Sequence, residues 1–229
     1  NVNHYFHNKL KACVDQNGSL CVGAAVGLNE HERLNKLIDA GVDLICLDVA
    51  NGFNTHVGST IKNIRQSYPK IVLMVGNVCN KEGFDYLSQK DFDVDCVRVG
   101  IGNGSICTTR LETGIGKGQF SAVMECFGNI DGPKIICDGG SLGKTGNKFK
   151  ALAAGASVIM LGRTLSCTYE SPGQVIIRNG KQFKYIRGMA SSMANISKQE
   201  KQQADTLKTN FTAEGVDGEH LMSGDVESV

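Results

Sequence analysis

The stretch 100–110, Gly-Ile-Gly-Asn-Gly-Ser-Ile-Cys-Thr-Thr-Arg, concentrates more chemistry than any other part of the chain. Three glycines at alternate positions follow an apolar run, and Ser105, Cys107, Thr108, Thr109 and Arg110 come after them. Glycine allows a close backbone approach, so amides freed here can cradle a phosphate and carbonyls can ligate a cation. Cys107 is then a candidate nucleophile, its thiolate favoured by local dipoles and by Arg110. The competing reading of a lone cysteine is a small buried hydrophobe. The spacing is not G-x-G-x-x-G, which excludes the dinucleotide fingerprint of doubly wound sheets; a long loop, not a helix, is expected to follow.

Two further clusters suit a nucleotide. Asp138, Gly139 and Gly140 follow one apolar run, and Gly162 and Arg163 follow the next. A carboxylate can accept from both ribose hydroxyls while paired glycines bring backbone N–H groups to a phosphate. Taken alone, the same residues describe an acidic turn with ordinary glycines. Asp48 and Asn51 close another run and would face the same mouth, although Asn51 or Asn54 could equally cap a helix. Glu214, within Ala-Glu-Gly, is uninformative by itself.

The elements that must position these residues follow from the pattern. Short β-branched runs at 20–27, 44–49, 71–76, 96–100, 134–138 and 157–162 alternate with helix-like stretches at 29–40, 56–68, 81–90, 119–127 and 147–154. In the first helix Leu34, Leu37 and Ile38 share one apolar stripe. Such alternation means βαβ units and a parallel sheet covered on both faces. Polar and Gly residues at the strand ends favour a (βα)8 TIM barrel over a doubly wound sheet. Six βα units are visible, so the barrel's N-terminal strands are expected before Asn1. Residues 1–190 then form the barrel portion, with a hairpin at 174–187 turning on Asn179-Gly180. Residues 191–229 complete it; the polar stretch from Ser191 to Thr212 reads as a solvated linker or a mobile active-site flap.

Composition sets bounds on partners. The 229 residues carry 24 Lys plus Arg against 23 Asp plus Glu, a net charge of +1 that argues against nucleic-acid or polybasic membrane binding. The nine cysteines are an odd number and contain no C-x-x-C, unlike a disulfide framework or a zinc ribbon. A reducing cytoplasmic location is expected. No apolar run approaches a membrane span and no signal-peptide pattern opens the chain.

The loop 100–110 resembles the catalytic cysteine loop of the IMP dehydrogenase and GMP reductase family. The likeness continues in order through Asp138-Gly-Gly, the segment 151–157, Met160-Leu-Gly, Glu170-Ser-Pro-Gly, Arg187-Gly-Met and Ala213-Glu-Gly. It implies a (βα)8 barrel, usually a homotetramer, that binds a purine nucleotide and a nicotinamide cofactor. Leu47 to Gly52, 112–126 and Ala190-Ser-Ser-Met-Ala look like the reductase branch. Segment 22–27, Glu170-Ser-Pro-Gly and Arg187-Gly-Met lean to the dehydrogenase. The dehydrogenase flap carries an Arg-Tyr pair that activates water, and between Ser191 and Glu214 this chain has neither residue. The resemblance therefore implies GMP reduction with NADPH, the alternatives being IMP oxidation with NAD or non-catalytic purine-nucleotide binding.

By the same resemblance Cys107 attacks the purine, and Thr109 with Glu214 transfers the proton. Ser105, Asp138, Gly139, Gly140, Gly162, Arg163, Gly188, Met189, Ala190 and Gly215 would hold the nucleotide, and Asp48, Val49, Ala50, Ile101 and Gly102 the cofactor. Backbone carbonyls of Gly102, Gly104, Cys107 and Arg110 would take a monovalent cation, potassium. Three residues depart from the family pattern. Asn103 replaces a usual Pro and is expected to loosen the loop. Arg163 replaces a small residue, where it would pair or block a phosphate. Ile186 replaces a phosphate-contacting Tyr.

Overall fold

The computed structural model describes residues 14, 17–128, 131–141, 143–201 and 212–229. Six parallel strands run in strictly sequential order: β1 (Gly23–Val26), β2 (Leu44–Asp48), β3 (Val72–Val78), β4 (Cys96–Val99), β5 (Lys134–Asp138) and β6 (Val158–Met160). A doubly wound sheet reverses its strand order at a switch point; here no reversal occurs. The sheet is that of a partial (βα)8 barrel, as the alternation of runs and helices predicts.

Helices α1 (His31–Asp39), α2 (Thr55–Ser67), α3 (Lys81–Leu87), α4 (Thr109–Thr113), α5 (Gln119–Cys126), α6 (Thr145–Ala153) and α7 (Arg163–Ser166) connect the strands and follow the last of them. The expectation of a long loop after the cysteine stretch is corrected by the single short turn α4, which begins inside it at Thr109. Leu34 of α1 is buried, and Leu37 and Ile38 pack against the same core. Asn54 settles one alternative from the sequence: its Oδ1 accepts from His56 N at 2.8 Å and caps α2. Asn54→Ala removes that acceptor and is expected to cost about 1 kcal/mol, read as a lower urea midpoint at unchanged slope.

Side chains alternate across the sheet, and the two faces divide the labour. Ile45, Leu47, Leu73, Val75, Val97, Val99, Ile135 and Cys137 face the helices and form the main core with Val57, Ile61, Phe84 and Val123. Cys46, Met74 and Ile136 form a smaller cluster on the opposite face. Two residues further along the same strands, that inner face carries Asp48, Gly76, Arg98 and Asp138 at its C-terminal end. The period of two thus delivers the chemistry to the barrel interior above an apolar floor.

The hairpin forms as predicted from β7 (Val175–Arg178) and β8 (Lys181–Ile186). Asn179 (φ 49°) and Gly180 (φ 73°) both adopt the left-handed region that such a two-residue turn requires. A third strand, β9 (Gly218–Leu221), pairs antiparallel with β8, joining the hairpin to chain beyond residue 190. Within the polar stretch a helix α8 (Ser192–Lys201) forms, opened by Ser191 Oγ accepting from Ala194 N at 3.2 Å. Segment 202–211, the remainder of the expected linker or flap, lies outside the described residues.

Candidate active site

Arg98 sits at the centre of the inner face. Its Nη1 meets Asp48 Oδ1 at 2.9 Å on β2, and its Nη2 meets Asp138 Oδ2 at 2.7 Å on β5. Reaching β2 from β4 means crossing β3, and Gly76 makes the crossing possible. A Cβ there would lie 2.5 Å from Arg98 Cβ. Asn77 completes the group, its Nδ2 donating to Asp138 Oδ2 at 2.8 Å and to Gly100 O at 2.6 Å. Two carboxylates beside it raise the Arg98 pKa above its ordinary value despite burial, so the guanidinium is a fixed cation. Among the described residues Arg98 Nε and Asn77 Oδ1 are buried without a partner.

The cysteine loop lies at the end of β4 and is completed from far along the chain. Thr108 N donates to Glu214 O at 2.9 Å, Val216 N to Ile106 O at 3.0 Å and Glu214 N to Ala190 O at 3.1 Å. These bonds lay the 214–216 segment antiparallel against 106–108, with Cys107 opposite Gly215. The side chains form a line: Cys107 Sγ donates to Thr109 Oγ1 at 3.2 Å, and Thr109 Oγ1 donates to Glu214 Oε2 at 2.8 Å. A thiol, a hydroxyl and a carboxylate in that order make a route by which the thiol proton can leave and return.

A cavity of about 250 Å³ adjoins the loop. Ser105, Asp138, Gly139, Gly140, Gly162 and Arg163 line it, together with Met160, Ser166, Ile186 and Arg187. Gly139 (φ 83°) and Gly140 (φ 74°) take the conformation that glycine favours, and a Cβ on Gly140 would lie 2.5 Å from Gln119 Cβ. Paired glycines and two guanidinium side chains suit a phosphorylated ligand.

A family model described as the IMP dehydrogenase / GMP reductase domain matches residues 5–229. The chain belongs to this family. It is 42% identical over 227 residues to inosine-5'-monophosphate dehydrogenase of Nitrosopumilus maritimus, covering 95% of this chain and 47% of that protein. The enzyme of the same name from Staphylococcus saprophyticus is 40% identical over 219 residues, covering 93% of this chain and 44% of that protein. Among solved structures, a variant of GMP reductase from Trypanosoma brucei in complex with guanosine 5'-monophosphate superposes with a TM-score of 0.86 at 35% identity, covering 96% of this chain and 46% of that one. The chain spans about half the length of the curated relatives it matches.

Within this family framework the remaining residues fall into two groups. Gly188, Met189, Ala190 and Gly215 do not line the 250 Å³ cavity. Gly188 N donates to Asp217 Oδ1 at 2.9 Å, and Ala190 O accepts from Glu214 N, so this segment holds residues 214–217 in place. On the other side of Arg98, Val49 bonds β3 through Val49 N to Gly76 O at 2.9 Å and Asn77 N to Val49 O at 3.0 Å. Asp48 and Ala50 are exposed, whereas Ile101 is buried. The loosening expected of Asn103 is corrected: its side chain bonds Gln119 and Arg110, and its carbonyl accepts from Gly140 N at 3.0 Å. Arg98, Asn77 and Gln119 escaped the sequence reading; the available signal was an arginine inside the apolar strand Cys-Val-Arg-Val.

Five other thiols sit where burial disfavours the thiolate. Desolvation pushes Cys46, Cys79, Cys96 and Cys137 up, and Cys126 to about 12, which suppresses their thiolates. Cys46, Cys79, Cys96, Cys107, Cys126, Cys137 and Cys167 are free of disulfides. No described helix is long and apolar enough to cross a membrane.

Proposed function

We propose that the chain carries the chemistry of GMP reduction: GMP is converted to IMP and ammonia through a covalent bond between Cys107 and the purine. The observation that carries this reading is the Cys107–Thr109–Glu214 line beside a phosphate-suited cavity. Thr109 takes the thiol proton as it gives its own to Glu214. The sulfur bonds C2 of the guanine ring, the C2–amine bond breaks, and the same pair returns the proton to the departing ammonia. A nicotinamide cofactor, NADPH in this reading, supplies the hydride. Replacement of the C2–sulfur bond by a C2–hydrogen bond frees the Cys107 thiolate and leaves IMP.

Asp138 would accept from the ribose hydroxyls, with Ser105, Gly139, Gly140, Gly162 and Arg163 at the phosphate and Gly188, Met189, Ala190 and Gly215 closing over it. Exposed Asp48 has Oδ1 engaged by Arg98, and its second oxygen suits a cofactor hydroxyl beside Val49, Ala50, Ile101 and Gly102. Gly104 O and Arg110 O each accept one backbone bond and keep a second lone pair, which fits a monovalent cation, potassium, shared with the carbonyls of Gly102 and Cys107. Residues 1–190 supply the barrel and nucleophile; 191–229 supply the flap that returns Glu214. A cytoplasmic homotetramer is part of the same reading.

IMP oxidation to XMP with NAD is the second reading, favoured by the names of the curated relatives. The absence of Arg and Tyr between Ser191 and Glu214 favours the reductase. Nicotinamide absorbance in the full-length protein separates them. Loss of NADPH with GMP is expected. Gain of NADH with IMP would establish the dehydrogenase instead, and neither change would leave nucleotide binding without catalysis.

A further inference from the structure

The loop that carries Cys107 is intrinsically loose. Gly100 (φ 142°) and Gly102 (φ 76°) use conformations that L side chains rarely adopt, and Gly104 follows. Such a segment loses much conformational entropy when fixed, so a nucleophile placed on it needs an external tie.

Asn103 supplies one. Its Nδ2 donates to Gln119 Oε1, and its Oδ1 accepts from the Arg110 guanidinium, which also donates to Lys117 O. Gln119, at the start of α5, is itself anchored: its Nε2 donates to Val99 O at 2.6 Å and to Cys137 Sγ at 3.1 Å. The side chains of Asn103 and Arg110 therefore bracket Cys107 from both directions along the chain, and their mutual bond closes the loop. Gln119 then fastens the closed loop to the ends of β4 and β5. Packing is tight at Gly102, where a Cβ would lie 2.5 Å from Arg110 Cγ. Asn103 lines both the 250 Å³ cavity and a second cavity of about 370 Å³, to which Arg110 and Gln119 also contribute.

We propose that Asn103 is a positioning residue whose side-chain amide latches the cysteine loop to Gln119 and Arg110 and so fixes where Cys107 Sγ stands beside the nucleotide cavity. The role rests on the reading of Cys107 as nucleophile, and the test keeps the two apart. Asn103→Ala loses both arms. Asn103→Asp keeps an oxygen toward Arg110 and loses the donor to Gln119, so it isolates the second arm. The backbone bond from Gly140 N survives in both, which spares the nucleotide loop.

In the full-length protein, Asn103→Ala is expected to lower kcat about tenfold with KM for the nucleotide within about twofold, because misplacement of the nucleophile costs rate more than binding. The alkylation rate of Cys107 by iodoacetamide, followed on its peptide by mass spectrometry, is expected to change at least about threefold. Asn103→Asp should change both readouts in the same direction by a smaller factor, and it should not add to Gln119→Ala, since both break the Asn103–Gln119 connection. Unchanged alkylation would overturn the latch whether or not the protein turns over purines. A kcat loss matched by an equal rise in KM would reduce Asn103 to a structural role. Changed alkylation in a protein without GMP or IMP activity would keep the latch and sink the proposed function.

Discussion

Cys107→Ser is expected to abolish turnover, by about a thousandfold or more, while nucleotide affinity stays within about threefold. The asymmetry comes from placement. Cys107 is not among the residues lining the 250 Å³ cavity, so exchange of sulfur for oxygen leaves the walls intact. The serine hydroxyl can still donate to Thr109, preserving the line to Glu214. What disappears is the polarisable sulfur nucleophile. Steady-state turnover and equilibrium nucleotide binding measure the two effects separately. Retained turnover would eliminate the covalent route, and joint loss of binding would place Cys107 in the recognition surface instead. Thr109→Val, which breaks the line at its middle, should cost less, about a hundredfold, because the thiol keeps its position and loses only its proton route.

The barrel was legible because its signals are local. Each strand rests on a mostly apolar run, broken in β4 by Arg98, that leads into Gly or a polar residue, and each of the six strands falls where its run predicts. The Asn179-Gly180 turn is likewise encoded in two residues. The partner of β8 was not, since Gly218–Leu221 reads Gly-Glu-His-Leu, with no β-branched residue and no alternation. Its strand conformation is imposed by pairing with β8. The site divides in the same way. Cys107 stands out by its place in a Gly-rich stretch and Thr109 by the family resemblance of that loop, whereas Glu214 reaches them only through backbone bonds across the fold. Asn103 shows the limit of reading a residue by propensity alone. Its type suggests a looser backbone, while its side chain, which only the packing locates, ties the loop at two points.

Arg98→Met is expected to destabilise the fold by about 2 kcal/mol and to weaken both halves of the site together. Removing one partner from a buried pair costs about 3–5 kcal/mol through the charge left behind. The lower figure applies because the Asp48 side chain is 41% exposed and the Asp138 side chain 24%, so water recovers part of their solvation. Asp138 would retain the bond from Asn77 Nδ2, and its carboxylate would no longer be held by the guanidinium. Arg98→Lys keeps the charge yet cannot bridge two carboxylates with separate nitrogens, and is expected to fall between the two proteins. Adding Asp138→Asn to the Arg98→Met protein should restore part of the lost stability, because the more buried of the two uncompensated charges is gone, without restoring nucleotide affinity. Denaturant midpoints and nucleotide titrations on the four proteins separate these effects. An Arg98→Met protein as stable as the parent would mean that the two carboxylates are solvated independently, and that the crossing over Gly76 holds nothing together.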